Sequence, residues 1–177
     1  MEIEIRDVTD DNFDDIPPLP GFDCRSCLYW ESPHDFERKI PEKQAMAKKR
    51  KWFASMARTF GSCGKIIYLD KKPVGFAEFG LPSALPSLEG YPTGPPNQEA
   101  VYIACIVIRP EARHRGLATK MLRGVIEDLR RRGVKTLEVF AGKGFQEYPP
   151  GPAQLYQKLG FEIVRDDERY PLMRLKL

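Results

Sequence analysis

The chain has 177 residues, 42% of them hydrophobic, with 28 basic and 25 acidic side chains and a net charge of +3. That length suits one domain with its own apolar core, and a charge so balanced does not by itself make a nucleic-acid binder. No window approaches the roughly 18 uncharged apolar residues of a membrane span. The start, Met1 to Asp10, lacks the basic and apolar regions of a secretory signal, so the expected compartment is the cytoplasm.

Residues 2–6 alternate strictly between polar and apolar, the mark of a half-buried strand. Asp7 to Asp15 reads as a turn or short helix, and 17–41 as irregular, with Cys24 and Cys27 inside it. Pro41 opens a helix, where its missing N–H is harmless. Its expected buried stripe is Ala45, Met46, Trp52, Phe53, Met56, Ala57 and Phe60, and Lys48-Lys49-Arg50-Lys51 reads as a solvated run. Residues 65–69 and 74–79 flank Asp70-Lys71-Lys72-Pro73 as a hairpin.

Residues 101–108 are almost continuously apolar and suit a central strand covered on both faces. Arg109-Pro110 stops the strand. A helix follows from about Gly116, with Leu117, Ala118, Met121, Leu122, Val125, Ile126 and Leu129 on its inner stripe. Residues 134–140 form another strand, Pro152 to Leu159 a short helix, and 161–164 and 172–177 the last two strands.

The densest chemical signal lies between Cys105 and Met121. A buried strand ends, the loop Arg113-His114-Arg115-Gly116-Leu117-Ala118 follows, and a helix begins. Free N–H groups at a helix start attract anions. Gly116 and Ala118 let a ligand approach the backbone, and Arg113, His114 and Arg115 add positive charge or donors. This suits a diphosphate, yet the loop lacks the Gly-Lys-Ser/Thr ending of a Walker A motif and the full dinucleotide fingerprint.

Arg113-x-x-Gly116-x-Ala118 resembles the acetyl-CoA motif of the GNAT N-acetyltransferases. Ala153-Gln154-Leu155-Tyr156-Gln157-Lys158-Leu159-Gly160-Phe161 is similar to that family's A-x-x-x-Y-x-x-x-G-F segment. The resemblance is clear over about residues 62–177. It implies an α/β (α+β) GNAT fold: one mixed, mostly antiparallel sheet of about six to seven strands, flanked by helices, with a V-shaped splay between the central strands. Residues 1–177 would then be one domain, with 1–61 shaping the acceptor side and 62–177 binding acetyl-CoA. The resemblance also implies an acyltransferase that moves an acetyl group to an amine. It puts the pantetheine arm along Ile106, Val107 and Ile108, and the pyrophosphate on Arg113, His114, Arg115, Gly116, Leu117, Ala118 and Thr119. Tyr156 would lie near the sulfur. The family often forms dimers, which keeps a homodimer open.

Transfer to an amine needs a base for the amine and an acid for the departing thiolate. Tyr156 suits the acid, since a phenol can protonate a thiolate without a large uphill step. Where several family members carry a base glutamate, this chain has Tyr102; Glu99 nearby, then Glu78, are the substitutes. Pro150 stands where many members have Asn. Cys24-x-x-Cys27 lies outside the resemblance and reads as two packed thiols, a metal half-site completed by His34 or Cys63, or a redox pair. No metal is expected. A non-catalytic acyl-CoA-binding module and a metal or redox protein built on Cys24 and Cys27 stay open as alternatives.

Overall fold

A computed structural model describes residues 1–144 and 149–177. Its elements, in chain order, are β1 (Ile3–Asp7), α1 (Pro33–Glu37), α2 (Glu42–Thr59), β2 (Gly64–Leu69), β3 (Lys72–Gly80), β4 (Val101–Ile108), α3 (Leu117–Arg131), β5 (Thr136–Phe140), α4 (Ala153–Gln157), β6 (Glu162–Arg165) and β7 (Leu172–Lys176), with short 3-10 turns between them. The seven strands form one sheet in the order β1-β2-β3-β4-β5-β7-β6. All neighbours are antiparallel except β4 and β5. This is the mixed, mostly antiparallel sheet the sequence implied. No helix among the described residues is long and apolar enough to cross a membrane.

Period-2 alternation sends the strands' apolar residues to both faces of the sheet. One face carries Ile67, Ala77, Phe79, Ile103, Ile106 and Ile108 against α3. The inner stripe of α3 is Leu117, Met121, Leu122, Val125, Ile126 and Leu129, all buried. The opposite face carries Ile66, Tyr68 and Phe76, which pack with Phe13, Ile16, Cys24 and Phe53 of the N-terminal segment and α2. Further along that face, Tyr102, Ala104, Cys105 and Phe140 pack with Trp30, Leu85 and Leu88.

Two expectations about the N-terminal part need correction. The segment 17–41 contains a short helix, α1, begun by Pro33; Ser32 Oγ bonds the Asp35 carboxylate at 2.7 Å and holds that turn. The inner face of α2 is Ala45, Lys49 and Phe53, at i, i+4 and i+8. Trp52, Met46 and Met56 are half-buried at its sides. Lys49 therefore does not belong to a solvated run; its side chain is 1% exposed.

The middle of β4 sets up the site. Glu78 of β3 faces Cys105 and Phe79 faces Ile103, so Ala104 is an extra residue. Such a bulge bends its strand and increases the local twist. It also turns two successive side chains, Ala104 and Cys105, onto the Trp30 face. The parallel pairing of β4 with β5 covers Val101–Leu137 and Tyr102–Glu138 and goes no further. At this closed end the Tyr102 hydroxyl donates to the Glu138 carboxylate and accepts the Asn97 N–H at 2.9 Å. Arg174 Nε donates to Glu138 Oε1 at 2.6 Å. Beyond it the strands part, as the V-shaped splay required.

Candidate active site

A cleft of about 950 Å³ runs through this splay, from the start of α3 to the α1–α2 side of the sheet. Its first end is the loop before α3. Gly116 is the N-cap and has φ +72°, with nothing within 4 Å of where a Cβ would stand. No side chain caps the helix and no acidic residue occupies its first turn. The first-turn amides of a 15-residue helix are thus left facing the cleft with the positive end of its dipole. Gly116, Leu117, Ala118, Thr119, His114 and Arg113 line it. Arg113 Nε donates to the Ile108 carbonyl at 3.0 Å, tying the loop to the end of β4. Arg115 is exposed and stands outside the lining.

The middle of the cleft is the open edge of β4. Ile106 N–H points into the splay and donates to the Pro149 carbonyl at 2.8 Å. Arg109 N–H reaches back to Val74 of β3, so by strand alternation the main chain of Val107 faces β3 while its side chain lines the cleft. Residues 149–153 bridge the two arms of the V: Gly142 N–H donates to Gly151, and Ala153 N–H to Gly142, at 2.9 and 2.8 Å. Tyr156 lies one layer behind this bridge. It is fully buried, stacks edge-on against Phe161 at 5.2 Å, and its hydroxyl donates to the Pro150 carbonyl.

The far end holds a charge cluster that the sequence pattern did not disclose. Lys49 Nζ lies 2.6 Å from Glu78 Oε2 and 3.0 Å from Glu31 Oε1. Its directed hydrogen bond, however, goes to the Cys27 carbonyl at 2.7 Å. The carboxylate oxygens of Glu31 and Glu78 are buried without a well-aligned donor. The short N···O separations are those of ion pairs, without an N–H aimed along them. Burial first, then the neighbouring Glu31, push the Glu78 carboxyl up to about 8 against the opposing pull of Lys49. Burial works against the Lys49 charge, but Glu78 and Glu31 outweigh it and hold the ammonium well above its ordinary range. Glu99, by contrast, is exposed in the turn before β4 and does not line the cleft.

Cys24, Cys27 and Cys105 also line this end. Burial raises all three thiols, Cys24 to about 12. Cys105 Sγ accepts the Trp30 indole N–H at 3.0 Å. A thiol held neutral is a poor metal ligand and a poor nucleophile. Among the described residues no three His, Cys, Asp or Glu side chains are placed to hold one metal ion.

The acetyltransferase (GNAT) family model matches residues 26–161. The chain belongs to the GNAT family. The match takes in the GNAT helix-start motif at Arg113–Ala118, both splayed strands, and the loop of Cys27 and Glu31. Solved GNAT-fold structures agree over whole chains. One is the PaiA N-acetyltransferase of Thermoplasma acidophilum in complex with coenzyme A, with TM-score 0.61, 12% identity and full coverage of both chains. Another is an N-acetyltransferase of Staphylococcus aureus Mu50, with TM-score 0.62, 16% identity and 99% of each chain. A third is the ribosomal-protein-alanine N-acetyltransferase of Brucella melitensis, with TM-score 0.59, 17% identity, 98% of this chain and 99% of that one. At such identities the likeness is one of fold. Comparison with curated proteins gives no match. Membership of the GNAT family makes the chain an acyltransferase by descent.

Lys49 and Glu31, buried beside Glu78, are the candidate site residues that the sequence pattern did not single out. A signal did exist: Lys49 sits four residues from both Ala45 and Phe53, on the apolar side of its helix.

Proposed function

We propose that this protein is an acetyl-CoA-dependent N-acetyltransferase that passes the acetyl group directly to a primary amine. The observation that most supports this reading is the joining, in one cleft, of an uncapped helix start, an open strand edge and a buried carboxylate raised to about 8. The pyrophosphate sits on the amides of 117–119, with Gly116, His114 and Arg113 around it and Arg115 adding positive field. The pantetheine arm follows Ile106 to Ile108 and takes over the Ile106 N–H that Pro149 now accepts. Residues 1–61 supply the acceptor side.

We assign the base to Glu78, which lines the cleft and is buried, whereas Glu99 is exposed in the turn before β4. Ionised Glu78 takes a proton from the acceptor ammonium and becomes a carboxylic acid. The neutral amine then attacks the thioester carbonyl, a C–N bond forms, and the C–S bond breaks. Tyr156 turns from the Pro150 carbonyl to protonate the departing thiolate, and the second proton leaving the nitrogen restores its phenol. The proton on Glu78 returns to solvent, which completes the balance.

Calorimetry with CoA tests the foundation: heat of binding is expected, and its absence at high ligand concentration overturns the reading. Binding without transfer to any amine would leave a CoA-binding module instead. Gly116→Val forces a β-branched side chain into left-handed backbone, costing about 1–2 kcal/mol, and sets its Cβ beside the anion. CoA affinity should fall about tenfold or more; unchanged affinity would show that the anion sits elsewhere. Tyr156→Phe should lower turnover by roughly 10²-fold while CoA affinity holds. Undiminished turnover removes Tyr156 from the proton path.

A further inference from the structure

We infer that the acceptor is an amine with a single positive charge on a bulky apolar body, and that Glu78, with Glu31 behind it, receives its ammonium group. This rests on the acetyltransferase reading above. The argument begins with charge. Two carboxylates share one lysine, Lys49, in a site where all three side chains are at most 2% exposed. With Glu78 ionised, the cluster carries one negative charge that no further cation is paired with among the described residues. A buried charge of that kind is costly unless a counter-charge reaches it. A proton on Glu78 is one answer; a ligand ammonium, with three donors for oxygens that lack aligned partners, is the other.

The count of charges sets the ligand's limit. Among the described residues that line the cleft, Glu78 is the single carboxylate. Among the described lining residues, a second cation on the ligand would meet Arg113 and His114 at one end, Lys49 beside Glu78, and uncharged side chains elsewhere. Polyamines and aminoglycosides therefore find no carboxylate for their further charges among the described lining residues.

The walls set the ligand's body. Phe22, Tyr29, Trp30, Phe36, Phe76 and Tyr91 line this end. Trp30 and Tyr91 stack at 5.9 Å, and Tyr29 meets Phe36 edge-on at 5.5 Å. Two of the donors here are already engaged: the Trp30 N–H goes to Cys105, and Lys49 is spent on Cys27, Glu78 and Glu31. Phe22, Tyr29 and Phe36 are nevertheless 43%, 37% and 42% exposed. Large apolar side chains left open around one buried negative charge match an amine whose other end is apolar or aromatic.

The test measures labelled acetyl transfer from acetyl-CoA to 2-phenylethylamine, hexylamine, spermidine and kanamycin, with CoA binding followed separately by calorimetry. Both monoamines should exceed both polycations in kcat/KM by at least about tenfold, the effect of one unpaired charge or lost contact at ~1.4 kcal/mol. Equal or faster transfer to a polycation overturns the inference, as does transfer to neither monoamine while CoA binds. Failure of CoA to bind overturns the acetyltransferase reading instead.

Two variants separate recognition from folding. Tyr29→Ala alters an exposed ring and should raise KM for 2-phenylethylamine about tenfold with CoA affinity intact. Glu31→Gln leaves Glu78 and Lys49 as a neutral pair, so KM for either monoamine should rise, and the inflection of the pH–rate profile should move below about 8 because a neighbour that raises Glu78 is gone. An unmoved KM in both variants, or an unmoved inflection in Glu31→Gln, contradicts the assignment.

Discussion

Glu78→Gln lowers turnover by roughly 10²–10⁴-fold, the range for loss of a general base, while CoA affinity stays as it was. The amide matches the carboxylic acid in shape, and below about pH 8 Glu78 carries its proton anyway. Lys49 keeps Glu31 as a partner at 3.0 Å, so the variant should fold. The helix start at Gly116, where we propose that the pyrophosphate binds, belongs to other elements and should be untouched. The pH dependence gives the sharper evidence. Glu78 must be ionised to accept a proton, so wild-type turnover rises with pH and levels off above about 8. In the variant that inflection disappears. Steady-state rates from pH 6 to 9.5 decide the matter: an unchanged rate and an unchanged profile would take Glu78 out of the chemistry.

Lys49→Met should cost roughly 3–5 kcal/mol of folding stability at pH 8.5, the range for removing one partner of a buried ion pair. Methionine fills much of the same volume, so the loss reports the uncompensated carboxylates rather than a hole in the core. Its pH dependence follows from the shifts. Glu78 binds its proton more tightly in the folded chain than in the unfolded one. Its contribution to stability is therefore fullest in acid and is lost as pH rises through about 8. Lys49 is also raised, so its contribution holds up to the ordinary lysine range and is lost only above it. At pH 6 the retained proton on Glu78 takes the place of the missing ammonium, and the cost of the variant should shrink. Urea unfolding at both pH values, with the double variant Lys49→Met/Glu78→Gln closing the cycle, checks this. The double variant should recover part of the loss. A loss below about 1 kcal/mol at pH 8.5, or one equal at both pH values, would show that the cluster is not charged in the way described.

The cluster joins stability to function in one place. The bulge at Ala104 turns Cys105 toward Trp30 beside Glu78, at the point where β4 leaves β5. The same irregularity that opens the sheet thus sets the carboxylate near the open strand edge. Tyr102 and Glu138 close the other side of that opening. Burial and the hydrogen bond to Glu138 raise the Tyr102 phenol above its ordinary range, so it is a fixed strut rather than a titrating group at neutral pH.

The amino-acid order alone carried most of the elements and the helix-start loop proposed to hold the anion, because both depend on neighbours in the chain. Period-2 and period-3.6 patterns place strands and helices, and Arg113 to Ala118 carries its meaning in consecutive residues. The element boundaries differ from the sequence reading by only a residue or two at most ends. The floor of the cleft was decided by tertiary structure. Glu31, Lys49 and Glu78 come from a loop, a helix and a strand, and no local pattern announces that three charges will share one dry site. Lys49 sat in a basic run whose ordinary meaning is solvation, until the packing of α2 on β3 turned that one residue inward. Whether a charged side chain is solvated or buried depends on what the sheet brings opposite it, and that partner lies far away in sequence.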